Sequence, residues 1–347
     1  MRAVAAVSSA CTLVERAIPS LAPNQLLLRV AYSAVNRADT LQRRGLYNPP
    51  ANSTDILGLE AVGVVHALGS ALQGPAVGTR LMALLPGGGN AEYVAVLPSH
   101  CLPLPPAFPM RTAAAIPETW LTAFQLLFLE GSATHLAASA PLQGSLAGLV
   151  VVVHAAGSGV GTAAVQLAAA AGARVVAVAG SAAKLAVCAS LGAAQGLDYK
   201  APDFAAQLKA AVGPQGAALI LDPVGASLSA ANAEALAQDG TWVLYGSMGG
   251  LRLSGEGSAA DTLLGALLRK RGRLLGTTLR NRSDEYKSLL VERFAHAAWP
   301  GLVSGALKPV IHAQFSLQDT QAAHEMMEGN ANTGKILLKV AEDADAL

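Results

Sequence analysis

The stretch VVVVHAAGSGVGTAAVQLAAAAG, residues 150–172, constrains the fold more than any other part of the chain. Its opening valines suit a strand buried on both faces, and its alanine-rich continuation suits a helix. Between them, Gly157, Gly159 and Gly161 make a turn directly after the strand and directly before the helix. A dinucleotide pyrophosphate asks for such a place: backbone N–H groups at a helix N-terminus, with no Cβ in the way. Ala163, Ala164 and Ala168 let the helix sit close to its strand. Thr162 and Ala164 stand where a third glycine would complete a strict GxGxxG. A tight strand-to-helix turn in another kind of α/β protein therefore stays open at this point.

The flanking sequence repeats the unit. RVVAVAG at 174–180, AALILD at 217–222 and TWVLYG at 241–246 read as apolar strands, and KLAVCASLGA at 184–193 reads as a helix. Alternating βα units with apolar strands imply a doubly wound parallel sheet covered on both faces. The first 120 residues or so read differently, as short strands at 25–35, 60–68, 80–85 and 91–96 with Pro and Gly punctuation such as PGGGN at 86–90. With 347 residues and roughly 150 per domain, two domains are expected. The boundaries are placed at 1–121 with 283–347, and at 122–282. The strand-like KILLKV at 335–340 is expected to return to the first domain.

Charge and cysteine content narrow the partners. Lys+Arg minus Asp+Glu is 24 − 23 = +1, which offers no electrostatic footprint for nucleic acid or an acidic membrane surface. Small molecules or other subunits are the expected partners. Glu130 and Arg174 bound a long stretch without charged residues, yet its glycines break it into a strand and a small-residue helix rather than one span. Cys11, Cys101 and Cys188 lie far from any CxxC spacing, so reduced thiols in the cytoplasm are expected. The N-terminus lacks the apolar run of a secretion signal.

The nucleotide choice is readable from the second βα unit. In NAD-preferring units an acidic residue about 20 positions beyond the first glycines accepts hydrogen bonds from the adenosine ribose. Ala179, Gly180 and Ser181 occupy that place, and no carboxylate there repels a 2′-phosphate. Lys184, one turn into the next helix, can reach such a phosphate, and Tyr199 can add a hydroxyl on the same rim. The preferred cofactor is NADPH.

The segments AVNRADTLQRRGLYNPP at 34–50, ILGLEAVGVV at 56–65, ALLPGGGNAEYV at 83–94, AAAIPETWLTAFQLL at 113–127 and HAAGSGVGTAAVQLA at 154–168 carry a resemblance over nearly the whole chain. It resembles the zinc-independent quinone oxidoreductases of the medium-chain dehydrogenase/reductase superfamily. The resemblance implies a GroES-like β-rich catalytic domain, a Rossmann domain, NADPH, a homodimer, and hydride transfer to a small quinone in the interdomain cleft. Two other readings stay open: reduction of an activated C=C bond, as in 2-alkenal reductases, and a crystallin-like NADPH-binding structural protein.

The resemblance also assigns residues. Tyr47 overhangs the nicotinamide and substrate, Asn36 faces the same place, and Asp39 braces the loop. Thr122 touches the nicotinamide end of the cofactor, and the glycine turn contributes Ser158, Gly159, Val160 and Gly161. Gly180, Ser181, Lys184 and Tyr199 complete the 2′-phosphate rim. Tyr245 and Gly246 in LYGSMGG lie at a strand end, as Asp222 does. For the catalytic three the plainer alternatives are ring packing for Tyr47, a turn cap for Asn36, and a pair with Arg37 or Arg43 for Asp39. Where zinc-dependent relatives place Cys and the His of GHE, this chain has Asn36 and Leu59, so no metal is expected. Glu60 is then expected to be a buried structural carboxylate and Lys335 a solvated strand-start lysine. His66, His100, His154, His296, His312 and His324 are read as packing or surface residues. The connection at 131–149 is longer than the family's and is expected to be an irregular surface loop.

Overall fold

The computed structural model describes residues 1–50, 53–131, 142–253, 259–344 and 346–347. The segment 132–141 of the long connection lies outside them. The chain divides into two compact units: residues 1–121 with 279–295 and 299–347, and residues 122–278 with 296–298. The return to the first unit comes at Leu279 rather than Ser283.

The first unit opens with a hairpin, β1 (Arg2–Val7) and β2 (Ala10–Glu15), whose turn residues Ser8 and Ser9 have φ of 48° and 64°. A two-residue loop with both φ positive matches the right-handed twist of its strands, but it is normally signalled by Asn-Gly. The hairpin was not expected from the sequence for that reason. Strand β3 (Leu26–Val35) leads into the short helix α1 (Arg37–Arg43), followed by β4 (Glu60–Leu68), β5 (Arg80–Leu84), β6 (Tyr93–Val96) and β7 (Cys101–Pro103). Their inner faces bury Leu26, Leu28, Val30, Val65, Leu81 and Val94 in one core.

The second unit begins its sheet with β8 (Val150–Val153), every residue of which is buried. The others are β9 (Arg174–Ala179), β10 (Gln195–Asp198), β11 (Ala217–Asp222), β12 (Leu236–Leu244) and β13 (Arg273–Gly276), in the order β10-β9-β8-β11-β12-β13 with every pairing parallel. Counted within the unit this is 3-2-1-4-5-6, the Rossmann order, whose ligands lie outside the strand carboxyl ends near the reversal between β8 and β11. Strand β12 starts at Leu236 rather than Thr241 and ends at Leu244, so Gly246 lies beyond it.

Back in the first unit, β14 (Ile311–Ser316) pairs in parallel with β15 (Lys335–Lys339), and β15 pairs antiparallel with β3. The last strand thus completes the sheet begun by the third, giving the order β14-β15-β3-β4-β5-β7, with β6 also on β3.

Candidate active site and nucleotide cradle

In the second unit, Ser158 is the N-cap of the helix Gly159–Ala170 (α2), and its side chain accepts a hydrogen bond from Gly161 N at 3.0 Å. That bond satisfies one of the four orphan donors of the helix start. A Cβ on Gly161 would run into the Ala155 carbonyl and the Ala156 backbone, so only glycine allows α2 to begin this close to its strand. Gly159 and Val160 follow in the first turn, partly exposed, with their amides at the positive end of the helix.

The rim expected to hold a 2′-phosphate is assembled. A Cβ on Gly157 would lie 2.9 Å from Cδ of Lys184, and one on Gly180 would lie 2.7 Å from the Tyr199 ring. The absence of those two Cβ atoms is what lets the lysine stem and the tyrosine ring fold over the turn. Ser181 caps the helix Ala182–Ser190, accepting from Lys184 N at 3.4 Å. Tyr199 is about half exposed, at 47%. At the end of β12, the Tyr245 hydroxyl is buried with no hydrogen-bond partner among the described residues, and burial pushes its ionisation upward. Gly246 lies against Pro223, whose carbonyl a Cβ would meet at 2.7 Å.

Asp222 uses both of its oxygens within the unit: Oδ1 accepts from Val224 N and Gly225 N of the following loop, and Oδ2 accepts from Asn232 Nδ2 and from the Trp242 indole of β12. It holds the strand end rather than a ligand. Thr122 lies partly exposed in the helix Pro117–Phe124. The glycine cradle, the Lys184 and Tyr199 rim and the orphaned Tyr245 hydroxyl fit a nicotinamide dinucleotide.

In the first unit two of the three catalytic candidates, Asn36 and Asp39, belong to one buried polar network. The Lys335 ammonium, 3% exposed, donates to Glu60 Oε1 at 2.7 Å, Asn36 Oδ1 at 2.8 Å and the Val35 carbonyl at 3.0 Å. Asn36 Nδ2 also donates to Glu60 Oε1, at 2.7 Å, and Glu118 N donates to Glu60 Oε2 at 3.0 Å. Lys335 is therefore not solvated: its three donors are all spent inside the fold, and Glu60 is a buried structural carboxylate.

Asn36 caps α1 and is held by both Glu60 and Lys335. Asp39 accepts from Asn36 N at 2.8 Å and Gly58 N at 3.0 Å, so it braces the loop through backbone amides rather than through Arg37 or Arg43. Arg43 instead forks onto Glu328. Burial pushes the Asp39 carboxyl up to about 6 despite those two bonds. Glu118 is pushed up to about 8 by burial and by the neighbouring Glu60.

Tyr47 stands apart from this hydrogen-bonded set. It is partly buried, which raises its ionisation, and the Arg280 guanidinium lies over its ring at 5.4 Å. Arg280 and Glu118 were not among the residues singled out in the sequence. Nothing local marks them, since Arg280 enters the first unit only after the excursion through the second. Among the described residues no group of three or more His, Cys, Asp or Glu side chains could hold a metal ion.

A GroES-like unit joined to a Rossmann unit defines a dehydrogenase of the alcohol dehydrogenase type. Residues 22–106 match the alcohol dehydrogenase GroES-like domain, and residues 159–296 match the zinc-binding dehydrogenase family. Along nearly its whole length the chain is similar to a probable quinone oxidoreductase of Schizosaccharomyces pombe, with 30% identity over 98% of this chain and 96% of that one. It is 27% identical to the human quinone oxidoreductase over 93% of this chain and 91% of that one. The fold is similar to the Escherichia coli quinone oxidoreductase complexed with NADPH, with a TM-score of 0.80 and 26% identity, covering 98% of this chain and 99% of that one. The chain belongs to the quinone oxidoreductase-like family of the medium-chain dehydrogenase/reductase superfamily, and it is an oxidoreductase.

Proposed function

We propose that this chain is an NADPH-dependent quinone reductase that works without zinc. The observation that carries the cofactor choice is the rim: Lys184 and Tyr199 lie over Gly157 and Gly180, where an NAD-type unit would present a carboxylate. An ammonium at that rim favours a 2′-phosphate through a charge-assisted hydrogen bond. When bound, the reduced nicotinamide supplies a hydride. The glycine turn and the N-terminus of α2 would hold the pyrophosphate, with Tyr245 and Gly246 just past the end of β12 and Thr122, in the helix Pro117–Phe124, contributing at the nicotinamide end.

The first unit supplies the acceptor's surroundings. Tyr47 offers a hydroxyl donor to the oxygen on which charge develops, while Asn36, Asp39, Glu60 and Lys335 keep the supporting loop in place. The Lys335 ammonium bonds the two side chains, Asn36 and Glu60, that would otherwise be nearest in kind to metal ligands, and it already neutralises the carboxylate. A divalent cation there would face that ammonium as a like charge. A quinone asks little of an acid catalyst, because its hydroquinone anion is a good product, and this suits a site without a Lewis acid.

In its NRAD, QRRGLYNPP, LLPGGG and LYGSMGG segments the chain resembles the tumour-suppressor-inducible quinone oxidoreductase. A homodimer in the cytoplasm is the matching assembly and compartment, in keeping with three free cysteines. The test is a steady-state panel of ortho- and para-quinones and 2-alkenals with NADPH and NADH. Quinone turnover with a strong NADPH preference is expected. Turnover of enals alone would replace the reading by double-bond reduction, and tight NADPH binding without any turnover would replace it by a structural role.

A further inference from the structure

We infer that Arg280 and Tyr47 form an oxyanion-binding subsite, in which the two Nη groups of Arg280 take the acceptor oxygen that becomes negative. Arg280 is only 4% exposed, and its guanidinium is aimed by a single bond, from Nε to the Pro86 carbonyl at 2.8 Å. Neither Nη1 nor Nη2 has an acceptor among the described residues. A buried arginine with four N–H groups unspent carries a large desolvation cost, and folds retain such a group where a ligand completes it.

The surroundings say which ligand. Asp39, Tyr47 and Glu118 act on Arg280 as acidic groups and Lys287 as a second cation, yet Asp39 spends its oxygens on the Asn36 and Gly58 amides. Nη2 lies beside the glycine loop, where a Cβ on Gly87 would stand 3.5 Å from it and about as close to the Thr54 methyl and the Ile56 carbonyl, so the wall on that side carries no charged group. On the other side is the Tyr47 ring. The tyrosine is the movable partner: it stands between exposed Leu46 and Asn48, whereas Arg280 is tied to Pro86. A ring that swings aside uncovers both Nη groups and brings its own hydroxyl to the same oxygen. The matching ligand is a flat molecule with a phenolate or enolate oxygen, the species an acceptor becomes once it has gained a hydride and before it takes a proton from water.

This subsite deepens the quinone-reductase reading and rests on it for its role in turnover, but its binding chemistry can be read separately. The probe is 4-nitrophenol, whose phenolate absorbs in the visible, titrated into the full chain saturated with NADP⁺, with 4-nitroanisole as the uncharged control. The phenolate is expected to bind in preference to the anisole and to ionise at lower pH when bound. Arg280→Met should weaken the phenolate by a factor of about 10–100, the size of a hydrogen bond to a charged group, with NADPH affinity unchanged. Arg280→Lys, which keeps one charge but not the fork, should lose about tenfold and gives the answer if the Met variant does not fold. The turnover of quinones should fall with the phenolate affinity. If the variants bind phenolate as the unsubstituted chain does, or if that chain does not distinguish phenolate from anisole, Arg280 only stacks on Tyr47 and the inference is overturned. Should the chain bind phenolate through Arg280 yet reduce no quinone, the subsite stands and the proposed activity fails. Undiminished quinone turnover in Arg280→Met would do the reverse.

Discussion

Lys184 and Lys335 are both lysines near the start of a regular element, and the fold uses them in opposite ways. Lys184 lies over a glycine turn with its stem against Gly157. Lys184→Ala should weaken NADPH by a factor of about 10–100 while leaving NADH almost unchanged, because one charge-assisted contact to phosphate is worth roughly 1.5–3 kcal/mol. Equal losses for the two nucleotides in a titration would remove the 2′-phosphate assignment. Lys335 is buried against Glu60. Lys335→Met should destabilise the protein by roughly 3–5 kcal/mol, since it leaves a buried carboxylate unpaired. Denaturant unfolding of Lys335→Met and of the double variant with Glu60→Gln checks this: the second change should recover part of the loss, and full additivity would mean the pair is not coupled. The place of Lys184 over the turn was legible because Gly157 lies within a few turns of sequence. The role of Lys335 was not, since Glu60 is 275 residues away.

At the scale of elements, the strand-turn-helix around Gly157 and Gly161 is held by two glycines with different obligations. Gly161 faces backbone that cannot yield, while Gly157 faces the flexible stem of Lys184. Gly161→Ala is therefore expected to move α2 off its strand, lowering stability by roughly 1–3 kcal/mol and weakening both nucleotides. Gly157→Ala should fold normally and displace only Lys184, so its loss should be confined to NADPH. Thermal melts with paired NADPH and NADH titrations separate the two, and a normal melt for Gly161→Ala would refute the close-approach argument. The Rossmann strands were readable because each is an apolar run between turn signals. The N-terminal hairpin was not, because Ser8 and Ser9 take positive φ without the residues that advertise it.

Across the whole molecule, stability should depend on pH in two directions. His324 is buried with neither ring nitrogen hydrogen-bonded among the described residues, and burial with the nearby Arg43 charge pushes it down to about 4. Its folded form is held neutral, so its contribution is present above about 6.5 and is lost as pH falls toward 4. Glu118 behaves in the opposite sense. Its folded ionisation lies near 8, above the ordinary 4.5, so the fold favours the protonated acid, and that contribution is lost as pH rises from 4.5 through 8. Melting temperature should fall between pH 6.5 and 8 in the unsubstituted chain and flatten there in Glu118→Gln. His324→Leu should resist acid better between pH 6.5 and 4. Parallel curves for the variants and the unsubstituted chain would show that neither group titrates as argued.

Local pattern was enough for the parallel sheet and for the glycine turn that leads from β8 into α2. Hydrophobic runs, glycine spacing and helix caps act over a few residues, and their meaning survives without knowledge of the rest of the chain. The pairing of Lys335 with Glu60 and the stacking of Arg280 on Tyr47 were decided only when distant segments of the first unit folded together. A buried charge takes its function from whatever partner the fold places within about 3 Å of it, and that placement depends on the path of the whole backbone.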